Sequence, residues 1–239
     1  MMWLRNLIQK HSWELEASRK TIFQFGQSVT QALIKNPIQP WEADAWARGL
    51  KIGLIRLEGY FFRVGSGKRS SLSFFIRNDR DLYVGLRRES ITQAATYVSL
   101  ITDYGYPRAQ VRFESRWMDV AVYDSEGKAL IYAENKANQK TLEKLCYRLS
   151  SEFNDIADRT SENVNLRSSI GDLRTAIPDD AVMKARHIWR NRPRYFWGVC
   201  PTSRQMYLVS YARCGFSFEA MESPVFSEGL IPQAALFAR

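Results

Sequence analysis

The clearest periodic signal runs from Arg88 to Tyr104. Ile91, Ala94, Val98 and Ile101 recur at three- and four-residue steps, which predicts a helix, and Gly105 and Pro107 end it. The pattern then changes to short apolar runs. Gln110 to Glu114 predicts a strand, and further strands begin at Asp119 and Ala129. Asn138 to Ala157 returns to helical spacing, with Leu142, Leu145, Leu149, Phe153 and Ile156 on one stripe. Asp158 to Ile177 is polar and serine-rich and predicts a long loop with some irregular helix. Pro178-Asp179-Asp180 starts a helix that runs to about Arg190. Tyr195–Cys200 and Met206–Tyr211 predict two closing strands joined at Thr202-Ser203. Helix, three strands, two helices and two strands in that order predict an α/β fold, a mixed central sheet flanked by helices.

The chain ahead of this core has a different rhythm. Residues 3–35 predict one or two helices, stopped by Pro37 and Pro40, and Trp41–Leu50 a short one. GLIRLEGYFFRV, SLSFFIR and DLYVGL are β-like runs between Ile52 and Leu86. Gly65-Ser66-Gly67-Lys68-Arg69, between the first two, is not a phosphate-binding loop, because Phe62 stands where its first glycine would be. It reads as a basic hairpin tip, either a solvated turn or a contact to nucleic acid through Lys68 and Arg69. The organisation expected is an N-terminal helical and β-rich extension over 1–86, a core over 87–215 and a tail over 216–239.

Composition narrows the classes. The 239 residues are 45% hydrophobic and 25% charged, ordinary for a water-soluble fold of one core plus an appendage. A formal charge of +9 favours a polyanionic partner, nucleic acid before an anionic membrane. Cys146, Cys200 and Cys214 are odd in number and widely spaced, which points to reduced cytoplasmic thiols. His11 and His187 are too far apart in sequence to suggest a zinc site. No apolar run approaches the roughly 18 residues needed to cross a bilayer, and Arg5, Lys10 and Glu14 interrupt any secretory signal.

The chemistry concentrates in DVAVYDSEGKALIYAENK, Asp119 to Lys136. Fourteen residues separate Asp119 from Glu134, enough for two paired strands and a turn at Ser125-Glu126-Gly127. Side chains alternate along a strand, so Glu134 and Lys136 share a face. Two carboxylates and an ammonium at one sheet edge suit Mg2+ (with Mn2+ as a substitute) and a water set against a phosphate. Asp119, Glu134 and the Asn135 carbonyl would be ligands, and Lys136 would orient the water or stabilise developing charge. The bland alternative is a set of ordinary charges at strand ends. Against it, both carboxylates adjoin apolar runs, where an unpaired charge is costly.

The segment from about Arg87 to Tyr211 resembles the PD-(D/E)xK nuclease superfamily, closest to the amino-terminal nuclease domain of type I restriction endonuclease R subunits. The residues that carry this are Arg88-Glu89 and Gln93, Tyr104-Gly105-Tyr106-Pro107, Glu114, Arg116 ahead of Asp119, and Ala133-Glu134-Asn135-Lys136-Ala137. The resemblance covers about half the chain. It implies a restriction-endonuclease-like αβββαβ core and magnesium-dependent cleavage of nucleic-acid backbones, usually DNA, in restriction or defence against phage and mobile elements. It also implies that Glu89 reaches the metal, against the alternative of a carboxylate favoured by the helix dipole. Gln93 and Glu114 would be accessory. One departure stands out. Some relatives carry a Gln followed four residues later by Tyr after the catalytic lysine, whereas TLEKLCYRLSSEF holds Tyr147 without that Gln. R subunits also carry a translocating motor, which is missing here.

Arg186, Arg190, Arg192 and Arg194 alternate with His187, Trp189, Tyr195, Phe196 and Trp197. Arginines neutralise phosphates, and rings stack on bases. The spacing fits an amphipathic helix entering a core strand better for the aromatics, and phosphate contact for some arginines, Arg186 and Arg190 first. Arg116 belongs with these candidates. DNA is the first expected partner and RNA the second, with a homodimer or partner subunit open. The rival function is a nuclease-fold module that binds DNA or assembles with a partner without cutting.

Overall fold

The computed structural model describes residues 2–65, 70–115, 117–151 and 180–222. Three helices come first: α1 (Met2–Ala17), α2 (Phe25–Lys35) and α3 (Pro40–Lys51). Five short strands follow: β1 (Ile55–Glu58), β2 (Phe61–Val64), β3 (Ser71–Ser73), β4 (Phe75–Arg77) and β5 (Tyr83–Leu86). The run read as one strand from Gly53 is a hairpin, because Gly59 turns it with a φ of 66°. β2 pairs with β3, so residues 65–70 do link two hairpin strands; Lys68 and Arg69 lie outside the described residues.

The core begins with α4 (Arg88–Thr102) and continues through β6 (Val111–Ser115), β7 (Met118–Tyr123), β8 (Ala129–Asn135), α5 (Gln139–Ser151), α6 (Asp180–Asn191), β9 (Tyr195–Cys200), β10 (Ser203–Tyr211) and β11 (Phe216–Ala220). The predicted residues 152–179, including Phe153, Ile156 and the serine-rich loop, lie outside the described residues. Strand order is β11-β10-β9-β8-β7-β6. Among the described strands of this sheet only β8 and β9 run parallel, so the chain must cross over between them, and α5 and α6 lie on that connection. The sheet continues one strand past the expected boundary at 215: Phe216 is buried and Phe218 stacks on Phe196.

Alternation along the strands divides the sheet's two faces. Val120, Val122, Ile131, Ala133 and Trp197 share an apolar cluster with α4. Ala121, Tyr132 and Phe196 share another with α5 and α6. The one-sided stripe predicted for α4 is wider in the fold. Twelve of its residues are buried, among them Thr92, Gln93 and Thr96. Its outer face is covered by α3, where the Trp46 indole donates to the Ile91 carbonyl at 2.9 Å. The 1–86 extension and the sheet therefore share one apolar cluster, from Leu4 to Met206.

The α3–α4 approach is close at Gly49. A Cβ there would lie 2.7 Å from Val98 Cγ2 and 2.9 Å from Ile55 Cδ1. Gly49→Ala should therefore destabilise by about 1–3 kcal/mol despite alanine's better helix propensity. Urea unfolding reads this directly, and a stabilised variant would refute the close-contact account.

Candidate metal centre

The β7–β8 hairpin sets the register of the site. Asp124 closes the turn, its Oδ1 accepting the Glu126 and Lys128 amides at 2.9 and 2.8 Å, and Gly127 supplies a φ of 80°. Val120 pairs with Ala133, and the same antiparallel register places Asp119 opposite Glu134. Asp119 Oδ2 accepts the Asn135 backbone N–H at 2.6 Å and its side-chain amide at 3.3 Å. Asn135 is itself held by the Thr96 hydroxyl, which donates to its Oδ1 at 2.7 Å.

Glu89 enters from the first turn of α4. Glu89, Asp119 and Glu134 each offer a carboxylate oxygen, and these lie within 4.8 Å of one another. Lys136 Nζ donates to Glu134 Oε1 at 2.7 Å and to Glu89 Oε1 at 3.2 Å, so Glu134 and Lys136 do share a face. The third Lys136 N–H has no partner among the described residues.

Lys184, on α6, is a member that sequence reasoning missed. Its Nζ lies 3.2 Å from Glu134 Oε1. The signal was present: Ala181, Lys184, Ala185 and Ile188 form the buried stripe of α6, so a lysine sits among core positions. Such a lysine needs a carboxylate partner.

Burial dominates the electrostatics. Glu134 is 1% exposed, and burial, then Asp119 beside it, pushes its pKa up to about 8. Burial also raises Asp119 and Glu89 above the usual carboxylate range. For Lys136 burial pulls downward, but Glu134, Glu89 and Asp119 outweigh it and the net shift is upward. Lys184 is raised in the same way, with Glu134 the largest opposing influence. Glu89, Asp119 and Glu134 face the Lys136 and Lys184 ammonium groups, and Lys184 also takes Asp180, so with every carboxylate ionised the negative charges outnumber the positive ones. Glu134 Oε2 is buried and has no hydrogen-bond partner, while Oε1 takes both lysines. A buried carboxylate oxygen in that state is expensive unless a proton, which the raised pKa favours, or a cation meets it. Oxygen donors only, an orphaned carboxylate oxygen and a charge deficit fit a hard divalent cation such as Mg2+ or Mn2+.

The accessory candidates meet beside the centre. Gln93 Nε2 donates to Glu114 Oε1 and lies 3.4 Å from the Asp119 carbonyl oxygen. Glu114 interrupts the β6–β7 ladder with a φ of 51°, a left-handed conformation uncommon outside glycine. The extension props the other side: the Asn36 side-chain amide donates to the Ala137 carbonyl, next to Lys136.

Of the basic candidates, Arg186 and Arg190 lie on α6, two and six residues past Lys184. Arg116 lies outside the described residues. The arginine–aromatic interleaving is largely internal: Arg192 stacks over Trp189 at 3.6 Å and Tyr211 at 4.6 Å, and Tyr195, Phe196 and Trp197 are buried. Among the described residues no helix is long and apolar enough to cross a membrane, and the three cysteines are free.

Comparison of the chain with protein-family models, curated proteins and solved structures finds no match.

Proposed function

We propose that the protein is a Mg2+-dependent nuclease that hydrolyses phosphodiester bonds, with DNA as first substrate. One observation carries the reading: Glu89, Asp119 and Glu134 converge within 4.8 Å beside the Lys136 ammonium. Asp119 and Glu134 would hold the cation, with Glu89 and the Asn135 carbonyl as further ligands. The cation, when bound, supplies charge neutralisation on the phosphate and on the leaving oxygen. Lys136 keeps one N–H to orient a water or to meet charge building on the phosphate. Asn135 and Thr96 hold Asp119 in place through the strand end, and Gln93 ties α4 to Glu114 and the β7 backbone. The resemblance to PD-(D/E)xK nucleases supports the same assignment of Asp119, Glu134 and Lys136. A formal charge of +9 suits a polyanionic substrate.

The test is cleavage of supercoiled plasmid, linear duplex, single-stranded DNA and RNA with Mg2+, Mn2+ or EDTA. Cutting that requires the metal and stops in EDTA is the expected result. Salt-sensitive binding without cutting on any substrate would favour the module that binds or assembles with a partner. Neither binding nor cutting would end the nucleic-acid reading.

A further inference from the structure

Lys184 differs from Lys136 in a way that bears on its role. Its ammonium lies 3.0 Å from the Trp117 carbonyl oxygen, 3.0 Å from Asp180 Oδ1 and 3.2 Å from Glu134 Oε1. It donates to the first two and stands against Glu134 as an ion pair. Its side chain is 7% exposed, whereas that of Lys136 is 19% exposed. The more deeply buried ammonium, already tied to two other elements, is the more poorly placed of the two to touch a substrate. It joins three elements instead: α6 through Asp180, the β6–β7 turn two residues before Asp119, and β8 through Glu134.

We infer that Lys184 is a positioning residue for the metal centre, holding Glu134 by Oε1 so that Oε2 is left for the cation and fixing the start of the strand that carries Asp119. The inference rests on the metal-centre reading above. It goes beyond the three-residue Asp119, Glu134 and Lys136 arrangement, because it assigns a function to α6, a helix from outside that sequence stretch. Partners that hold a metal ligand in place commonly matter to affinity about as much as 10–100-fold.

Two accounts of Lys184 predict opposite signs. As a mere nearby charge it repels a cation, so removing it would tighten binding. As a positioning residue it aims a ligand, so removing it weakens binding. The experiment is titration of the purified full chain with Mn2+ alone, read by the loss of the free Mn2+ EPR signal, well below the melting temperature. The comparison is wild type, Lys184→Met, Asp180→Asn and Glu134→Gln. Lys184→Met should weaken Mn2+ binding at least about 10-fold. Asp180→Asn removes only the outer anchor, on a side chain 61% exposed, so it keeps the fold and should weaken binding in the same direction by less. If Lys184→Met does not fold, a loss in Asp180→Asn still supports the inference. Unchanged or tighter binding in either folded variant overturns it while the metal centre stands. Wild type that binds no better than Glu134→Gln overturns the metal centre and the inference together.

Discussion

Replacing Lys136 by Ala, or Glu134 by Gln, should reduce metal-dependent cleavage at least about a hundred-fold while leaving a folded protein. The two variants fail for different reasons. Lys136→Ala removes the ammonium that has a donor to spare and leaves Glu134 with Lys184 as its remaining cation. Glu134→Gln keeps the shape and the buried volume but removes the charge a cation needs. Because burial already pushes the Glu134 carboxyl up to about 8, a neutral group suits that pocket and folding should survive. The measurement is the initial rate on the substrate that wild type cuts best, with circular dichroism as the folding control. A Glu134→Gln protein cutting within about threefold of wild type would remove Glu134 from the chemistry, since a lost electrostatic contact in such a site costs far more than that.

The largest effect on stability should come from Glu42→Ala. Glu42 is fully buried on α3 and Arg88, 5% exposed, opens α4. Arg88 Nη1 donates to Glu42 Oε1 at 2.8 Å, and Nη2 donates to Oε2. Arg88 also donates to the Asn36 and Pro37 carbonyls, both at 3.1 Å. Glu42 further accepts the Gln39 amide and the Thr92 hydroxyl, both at 2.8 Å. Truncating Glu42 strands a guanidinium in the core, which costs about 3–5 kcal/mol. In a chain this long that is a fall of about 6–20 °C in Tm. The double variant Glu42→Ala with Arg88→Met should lose less than Glu42→Ala alone, because no buried charge is left unpaired. Thermal and urea unfolding of the three proteins decides it, and a single-variant loss under about 1 kcal/mol would mean that the pair is not what joins α3 to α4. Since Glu89 follows Arg88 directly, Glu42→Ala should also loosen the α4 end of the candidate metal centre.

Local pattern determined much of this protein. The stripe in Arg88–Tyr104, the apolar runs from Gln110 onward and the turn residues at Ser125-Glu126-Gly127 are short-range signals, and each became the element expected. Fourteen residues between Asp119 and Glu134 sufficed to show two paired strands and a turn, whereas the register that sets the two side chains opposite each other includes a shift between Val122 and Tyr123 that spacing does not encode. Strand alternation put Lys136 beside Glu134.

The rest depended on contacts between distant parts of the chain. Glu89 lies 45 residues before Glu134, and only the packing of α4 across the sheet end brings them together. Lys184 comes from a crossover helix whose position follows from the parallel pairing of β8 with β9, a long-range choice that periodicity does not encode. The burial of Thr92, Gln93 and Thr96 on α4 is not legible in its apolar stripe, because the helix packed on it, α3, lies some 40 residues upstream. The aromatics of Tyr195–Trp197 fitted a core strand better than base stacking on spacing alone, and the sheet encloses all three. Sequence spacing specifies which side chains share a strand or helix face, whereas the charge and burial of a site are sums over every element that reaches it, and only the tertiary fold fixes that set.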